Sequence, residues 1–160
     1  PGHLPALDAL SMVWASAGLV SAHYPLRLRT VELDPLHAAY NFRSIYAHWM
    51  NGRLADADRA GARGLELWPR HAETWLARAG VFAMTGRADR AVAMFDGPAT
   101  RPALPPPLLA SMRRGYAAIA DGGPAVRAAA ADAQLADVAT GGPLVAVTAA
   151  LVLAALGAVD

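Results

Sequence analysis

Gly18, Gly52 and Gly86 stand 34 residues apart, and Pro35 and Pro69 repeat the same step. A fixed period of this length is the signature of a repeat architecture made of two-helix units. Each unit has an apolar face that it cannot bury alone, so successive units must stack and cover one another. The expected fold is all-α, an α-α superhelix: a solenoid of antiparallel helix pairs about four and a half repeats long.

The copies align beyond their glycines. The second opens on Asp34-Pro35, continues through Asn51-Gly52-Arg53-Leu54-Ala55-Asp56-Ala57 and closes on Leu65-Glu66-Leu67-Trp68-Pro69. The third carries Trp75, Ala79, Phe82, Gly86-Arg87-Ala88-Asp89-Arg90-Ala91 and Phe95. The first is looser, with Leu7, Trp14, Gly18 and the run Val31-Glu32-Leu33-Asp34-Pro35. These segments resemble the tetratricopeptide repeat family, whose pattern is a Trp, a small residue, an aromatic, a turn Gly, an Ala and a second aromatic. Trp75, Ala79, Phe82, Gly86, Ala91 and Phe95 hold those places in the third copy. In the second copy Gly52, Ala57, Leu65, Leu67 and Pro69 match. There Ile45 replaces the small residue, His48 the aromatic, and Gly61 and Gly64 the later Phe and Ala. In the first copy His23 stands where Ala is expected, and Pro25 predicts a second helix that begins late or bends.

The remainder follows by spacing. Five prolines at 98, 102, 105, 106 and 107 forbid a continuous helix, so 97–107 reads as an ordered, partly extended connector. Gly123-Pro124 and Gly142-Pro143 each mark a helix start, as does Asp34-Pro35, where a capping carboxylate precedes a proline at the first helical position. First helices are expected near 4–18, 36–51, 71–85, 108–121 and 143–156. Second helices are expected near 23–33, 54–67, 88–96 and 125–139. The chain reads as a single repeat domain over 1–160, with units near 4–37, 38–71, 72–105, 108–141 and a partial 143–160, and as a fragment of a longer protein.

Composition removes several functions. The net charge is +1, without the clustered positive charge that nucleic acid requires, so no direct nucleic-acid contact is expected. All fourteen basic residues are arginine, which removes Schiff-base chemistry and a Walker lysine. The absence of cysteine removes disulfides and thiolate sites and suits a cytoplasmic setting. Residues 143–159 carry no charge, but they lie between repeat-phased Gly and Pro signals and are rich in alanine, so a repeat helix is expected there and no membrane span. The high Ala and Arg content suggests a GC-rich bacterial source.

Catalytic patterns are missing. His3, His23, His37, His48 and His71 show no metalloprotease spacing, and Ser11, Ser16, Ser21, Ser44 and Ser111 sit in no nucleophile elbow. No enzyme activity, metal or cofactor is expected within these residues. His48 is expected as a packed, hydrogen-bonded histidine.

The resemblance implies that the first helix of each pair lines a concave surface. On that face the second copy carries Phe42, Tyr46 and Trp49 at i, i+4, i+7, with Met50 and the flanking Arg43. The same face continues through Leu76 and Met84 to Met112, Tyr116 and Ile119, with Asp8 and Met12 as counterparts in the first copy. Either these side chains fill gaps between helices or they form an apolar groove. A groove would suit an amphipathic or extended protein or peptide segment with acidic flanks, or a second copy of the chain. It would not act as the family's tail clamp, because Phe42, Tyr46 and Leu76 stand where that clamp needs Lys and Asn. The expected function is a protein–protein interaction module, the regulatory part of a larger bacterial protein. One alternative is an effector-binding sensor domain of a transcriptional regulator or cyclase, which the run Val31-Glu32-Leu33-Asp34-Pro35-Leu36 resembles. Another is an accessory domain of an enzyme whose active site lies elsewhere.

Overall fold

A computed structural model describes residues 3–158, with the backbone alone considered at 140–144 and 147. Every regular element among them is an α-helix: α1 (Leu4–Ser16), α2 (Val20–Leu33), α3 (Ala38–Met50), α4 (Leu54–Leu67), α5 (Ala72–Met84), α6 (Ala88–Asp96), α7 (Pro106–Asp121) and α8 (Pro124–Leu156). The fold class is all-α, as expected, and neighbouring helices pack pairwise. By proximity the chain divides into two compact units, Pro1–Val81 and Phe82–Asp160.

The periodic glycines share one conformation. Gly18, Gly52 and Gly86 lie in the left-handed region at φ +75°, +72° and +72°. After each, the next N–H reaches back five residues: Leu19 to Trp14 O at 2.9 Å, Arg53 to His48 O at 2.9 Å, Arg87 to Phe82 O at 3.0 Å. This closure satisfies carbonyls that the helix end leaves open, and glycine enters it without a Cβ penalty. Gly157 repeats it, with φ +76° and Ala158 N–H on Leu153 O at 3.0 Å. Gly122 fits the spacing but not the geometry: its backbone is extended, with φ −78° and ψ 120°.

In the first unit, Asp8 faces Arg27 and Ser11 faces His23, so α1 and α2 run antiparallel. Further along, Ile45 of α3, Ala57 of α4, and Ala77 and Val81 of α5 close the core. Trp75, Ala79, Phe82 and Ala91 are buried as expected, whereas Leu54 remains exposed. The glycines at 61 and 64 have a packing reason. A Cβ at Gly64 would sit 2.7 Å from Thr74 Cγ2, and one at Gly61 would press on Arg78 Cγ at 3.3 Å. Gly64→Ala should therefore destabilise the protein by about 1–3 kcal/mol despite alanine's better helix propensity, because the β-branched, buried Thr74 cannot swing away. Urea denaturation checks this; a raised midpoint would contradict the close approach.

Two helix starts differ from expectation. Helix α2 begins at Val20 and runs through Pro25, so of the two alternatives at Pro25 the late start is excluded. Ser21 and Pro25 are both exposed, so the carbonyl that loses its donor is solvated. Asp34 does not cap α3. His37 N–H donates to Asp34 O at 3.3 Å, closing a turn over Pro35 and Leu36, and His37 becomes the N-cap. The connector is ordered as expected: Pro102 is buried, and Arg101 Nη1 donates to Phe95 O at 3.0 Å.

In the second unit, α8 is one hydrogen-bonded helical stretch where two helices were expected, yet it cannot be straight. A Cβ at Gly115 of α7 would meet both Val152 and Gln134. Along a straight helix those two residues would be about 27 Å apart. Pro124, Arg127 and Ala128 also share a surface hollow with Leu156 and Gly157. The stretch therefore doubles back into two antiparallel arms. The turn-back lies between Gln134 and Val152, and the helical stretch is not interrupted at Gly142-Pro143, where a break was expected. Gln134 is fully buried and locks the first arm to α7, donating to Ser111 O at 2.8 Å and accepting from Ser111 Oγ at 3.1 Å. No described helix is long and apolar enough to cross a membrane.

Candidate functional site

Helix α3 presents the aromatic stripe from its own periodicity. Phe42, Tyr46 and Trp49 pack one side of their rings against Ile45, Ala57, Ala77 and Val81 and remain half-buried. The Tyr46 and Trp49 rings are 6.3 Å apart and tilted by 54°. Phe42 lies 6.1 Å from the His71 ring, and the Arg43 guanidinium sits 5.6 Å from the Phe42 centroid. Burial pushes the Tyr46 phenol up to about 12, so the hydroxyl is neutral at any physiological pH. Neither the Tyr46 hydroxyl nor the Trp49 indole N–H has a hydrogen-bond partner among the described residues. Met50 completes the stripe and is exposed.

The ten residues expected to line the binding face do not share one environment. Phe42, Arg43, Tyr46, Trp49, Met50 and the half-buried Leu76 belong to the first unit. Met84 and Ile119 are half-buried in the second. Met112 and Tyr116 are interior, at 4% and 2% exposure, and therefore line no surface. With Leu108 they make the i, i+4, i+8 stripe by which α7 packs inward, and Tyr116 meets Phe95 edge-on at 5.5 Å. The second unit instead has an open groove of about 750 Å³ between α7 and the first arm of α8. Arg113 and Arg114 lie along it, with Ala117, Ala125, Val126 and Ala129 on its apolar walls.

The sequence reading missed a polar cluster beside the stripe. Arg27 is fully buried, and its Nη1 donates to Asp8 Oδ1 at 2.5 Å. Arg43 Nη1 donates to the other oxygen, Oδ2, at 2.6 Å, tying α3 to α1. Burial alone would raise the Asp8 pKa, but the hydrogen bonds from Arg27 and Arg43 outweigh it and hold the carboxyl below 3.8. One helical turn along, His23 Nδ1 lies 2.8 Å from Ser11 Oγ and 2.9 Å from Ser11 O. This pairing resembles a nucleophile and its base, but Ser11 is fully buried and Asp8, one turn away on α1, is held by two arginines. The arrangement is a polar brace between α1 and α2. The signal that could have found it is the spacing of His23, Arg27 and Thr30, a polar stripe on the face of α2 that should be apolar.

A smaller cluster surrounds His48. The Tyr24 hydroxyl donates to His48 Nδ1 at 3.1 Å and accepts from Arg53 Nη1 at 3.1 Å. His48 is thus packed and hydrogen-bonded, as expected. Burial lowers the pKa of both His23 and His48 below 6.5, which Arg27 reinforces at the former and Asp56 opposes at the latter. In the unfolded chain both protonate near 6.5, so as pH falls below that value the unfolded state takes up protons first. Stability should be flat above pH 7 and fall between 6.5 and the lower folded values, then fall again below 3.8 as Asp8 is protonated. Urea midpoints across pH 4.5–8 test this. His23→Gln should flatten the first decline, and an unchanged slope would remove His23 from the account.

Comparison with known protein families, with curated proteins and with solved structures returns no match for this chain.

Proposed function

We propose that the chain is a tetratricopeptide-like binding module whose α3 face holds an apolar-anchored segment of a protein partner. The observation that carries this reading is the state of Tyr46 and Trp49: both are half-buried against the core, and neither polar tip has a hydrogen-bond partner among the described residues. Aromatic anchors of this kind dominate binding hot spots, because they supply large contact area at little entropic cost. The Asp8–Arg27–Arg43 cluster beside them carries two guanidinium charges against one carboxylate, which favours an acidic flank on the partner. On this reading the module serves as a cytoplasmic, regulatory part of a larger bacterial protein. Met112 and Tyr116 take no part.

A phage-displayed peptide library selected on the protein tests the reading. Enriched peptides should pair apolar anchors with Asp or Glu. Tyr46→Ala should cost them about 2 kcal/mol of affinity or more while the helical circular dichroism persists. Tyr46→Phe, which removes only the hydroxyl, should cost about 1 kcal/mol. Peptides whose affinity ignores both changes would exclude this face. Arg43 is the poorer probe, since its loss also weakens the hold on Asp8.

A second reading, a small apolar effector, draws on the groove between α7 and α8, whose volume is in the range of ligand clefts. A ligand there should protect Ala117 and Val126 from solvent and leave Tyr46 unaffected.

A further inference from the structure

Helix α5 is held by apolar side chains: Trp75, Ala77, Ala79 and Val81 are all buried. Helix α1 is held differently. Ser11 is its one buried residue, Leu4, Leu7 and Trp14 are half-buried, and Leu10, Met12 and Val13 face outward. Polar contacts carry the rest. Ser11 meets His23 Nδ1 of α2 through its hydroxyl and its carbonyl, and one turn earlier Asp8 holds Arg27 of α2 and Arg43 of α3. An element with so little buried apolar surface opens locally at a lower free energy than the whole molecule unfolds. One of its polar contacts also depends on a proton. His23 Nδ1 is engaged by Ser11, whereas Nε2 is buried with no partner. A neutral imidazole carries one N–H and one bare nitrogen; a protonated ring presents two donors and a full charge. The Nε2–H would then lie buried without an acceptor, and the Ser11 hydroxyl would find no lone pair on Nδ1.

We propose that α1 is an acid-released latch: a proton on His23 undocks α1 from α2 and α3 and leaves the core of Ile45, Ala57, Ala77 and Val81 folded. The inference does not rest on the partner-binding reading. The charged and titratable groups at this junction are Asp8 from α1, Tyr24 and Arg27 on α2 itself, and Arg43 and His48 from α3. Both Asp8 oxygens are taken by the two arginines, so among these groups no carboxylate is left to stabilise a charged His23. Burial, with Arg27 adding to it, holds the His23 pKa below 6.5 while α1 is docked. Once α1 leaves, the ring meets water and titrates near 6.5. The undocked state therefore takes up the proton first, so docking is strongest above 6.5 and weakens as pH falls from there toward the docked value. Undocking also separates Arg27 and Arg43 from Asp8, which leaves the surface beside Phe42 more basic in mild acid.

Amide hydrogen exchange between pH 7 and 5 tests this, read residue by residue and corrected for the intrinsic exchange rate at each pH. Protection at Ser11, Met12 and Val13 of α1 should fall as pH drops below 6.5, approaching about tenfold per unit. Protection at Ala77, Ala79 and Val81 of α5 should hold over the same range. His23→Gln removes the titrating group and should make α1 protection independent of pH, while His48→Gln should leave the decline in place. If the His23 variant does not fold, the wild-type contrast between α1 and α5 decides alone. Constant protection of α1 down to pH 5, or loss from α1 and α5 together, overturns the proposal. So does a decline that survives His23→Gln and vanishes in His48→Gln.

Discussion

Asp8→Ala should cost about 3 kcal/mol or more, several times the effect of removing any exposed carboxylate. Arg27 is fully buried, and among the described residues Asp8 is the carboxylate that meets it. Removing one partner of such a pair leaves a charge in the interior with neither water nor counterion. Arg43 loses its anchor at the same time, so the links from α1 to α2 and to α3 weaken together. Because the Asp8 side chain retains some solvent contact, the lower part of the range for buried pairs applies. Asp137→Ala provides the contrast. It breaks the pair with Arg114, where both side chains are more than a third exposed, and should cost under about 1 kcal/mol. Urea denaturation of the two variants side by side measures the difference, and equal midpoints would refute the buried-ion account.

Trp75→Ala should cost about 3–5 kcal/mol. Among the described residues Trp75 is the largest fully buried side chain, and Ala79, one turn further along α5, is also fully buried. Small residues around a large one let helix backbones approach closely, so little can move to fill the space left behind. Trp75→Phe keeps most of the volume and should lose markedly less. A chemical denaturation midpoint close to wild type for the alanine variant would mean that the interior of α5 collapses freely.

The helical frame was legible because its signal is local. A glycine at φ near +72° can be read from spacing, since the same cap recurs wherever a first helix ends. Gly142-Pro143 reads as a helix break, yet the helical stretch runs through it from Pro124 to Leu156. Asp34-Pro35 misled because a proline that follows an acidic residue starts a turn as readily as a helix, and here Asn41 Nδ2 ties the turn down by donating to Pro35 O at 3.0 Å. The two sides of each helix were harder to tell apart. Met112 and Tyr116 occupy the same register as Phe42 and Tyr46, yet they are interior because Phe95 and the arms of α8 pack around α7. Residue type at one position cannot report what a helix tens of residues away will cover. The Asp8–Arg27–Arg43 cluster escaped for that reason too: Asp8 and Arg43 are 35 positions apart and meet only when α1 lies beside α3.

The central claim is that a partner segment seats on the α3 stripe, and Trp49 reports on it directly. The chain has four tryptophans, each with one indole N–H signal. Titrating a library-selected peptide into nitrogen-labelled protein should shift the Trp49 indole signal saturably, as that N–H gains a partner, and leave the buried Trp75 signal in place. Saturation of peptide binding with the Trp49 signal unmoved would contradict the account and place recognition on another surface.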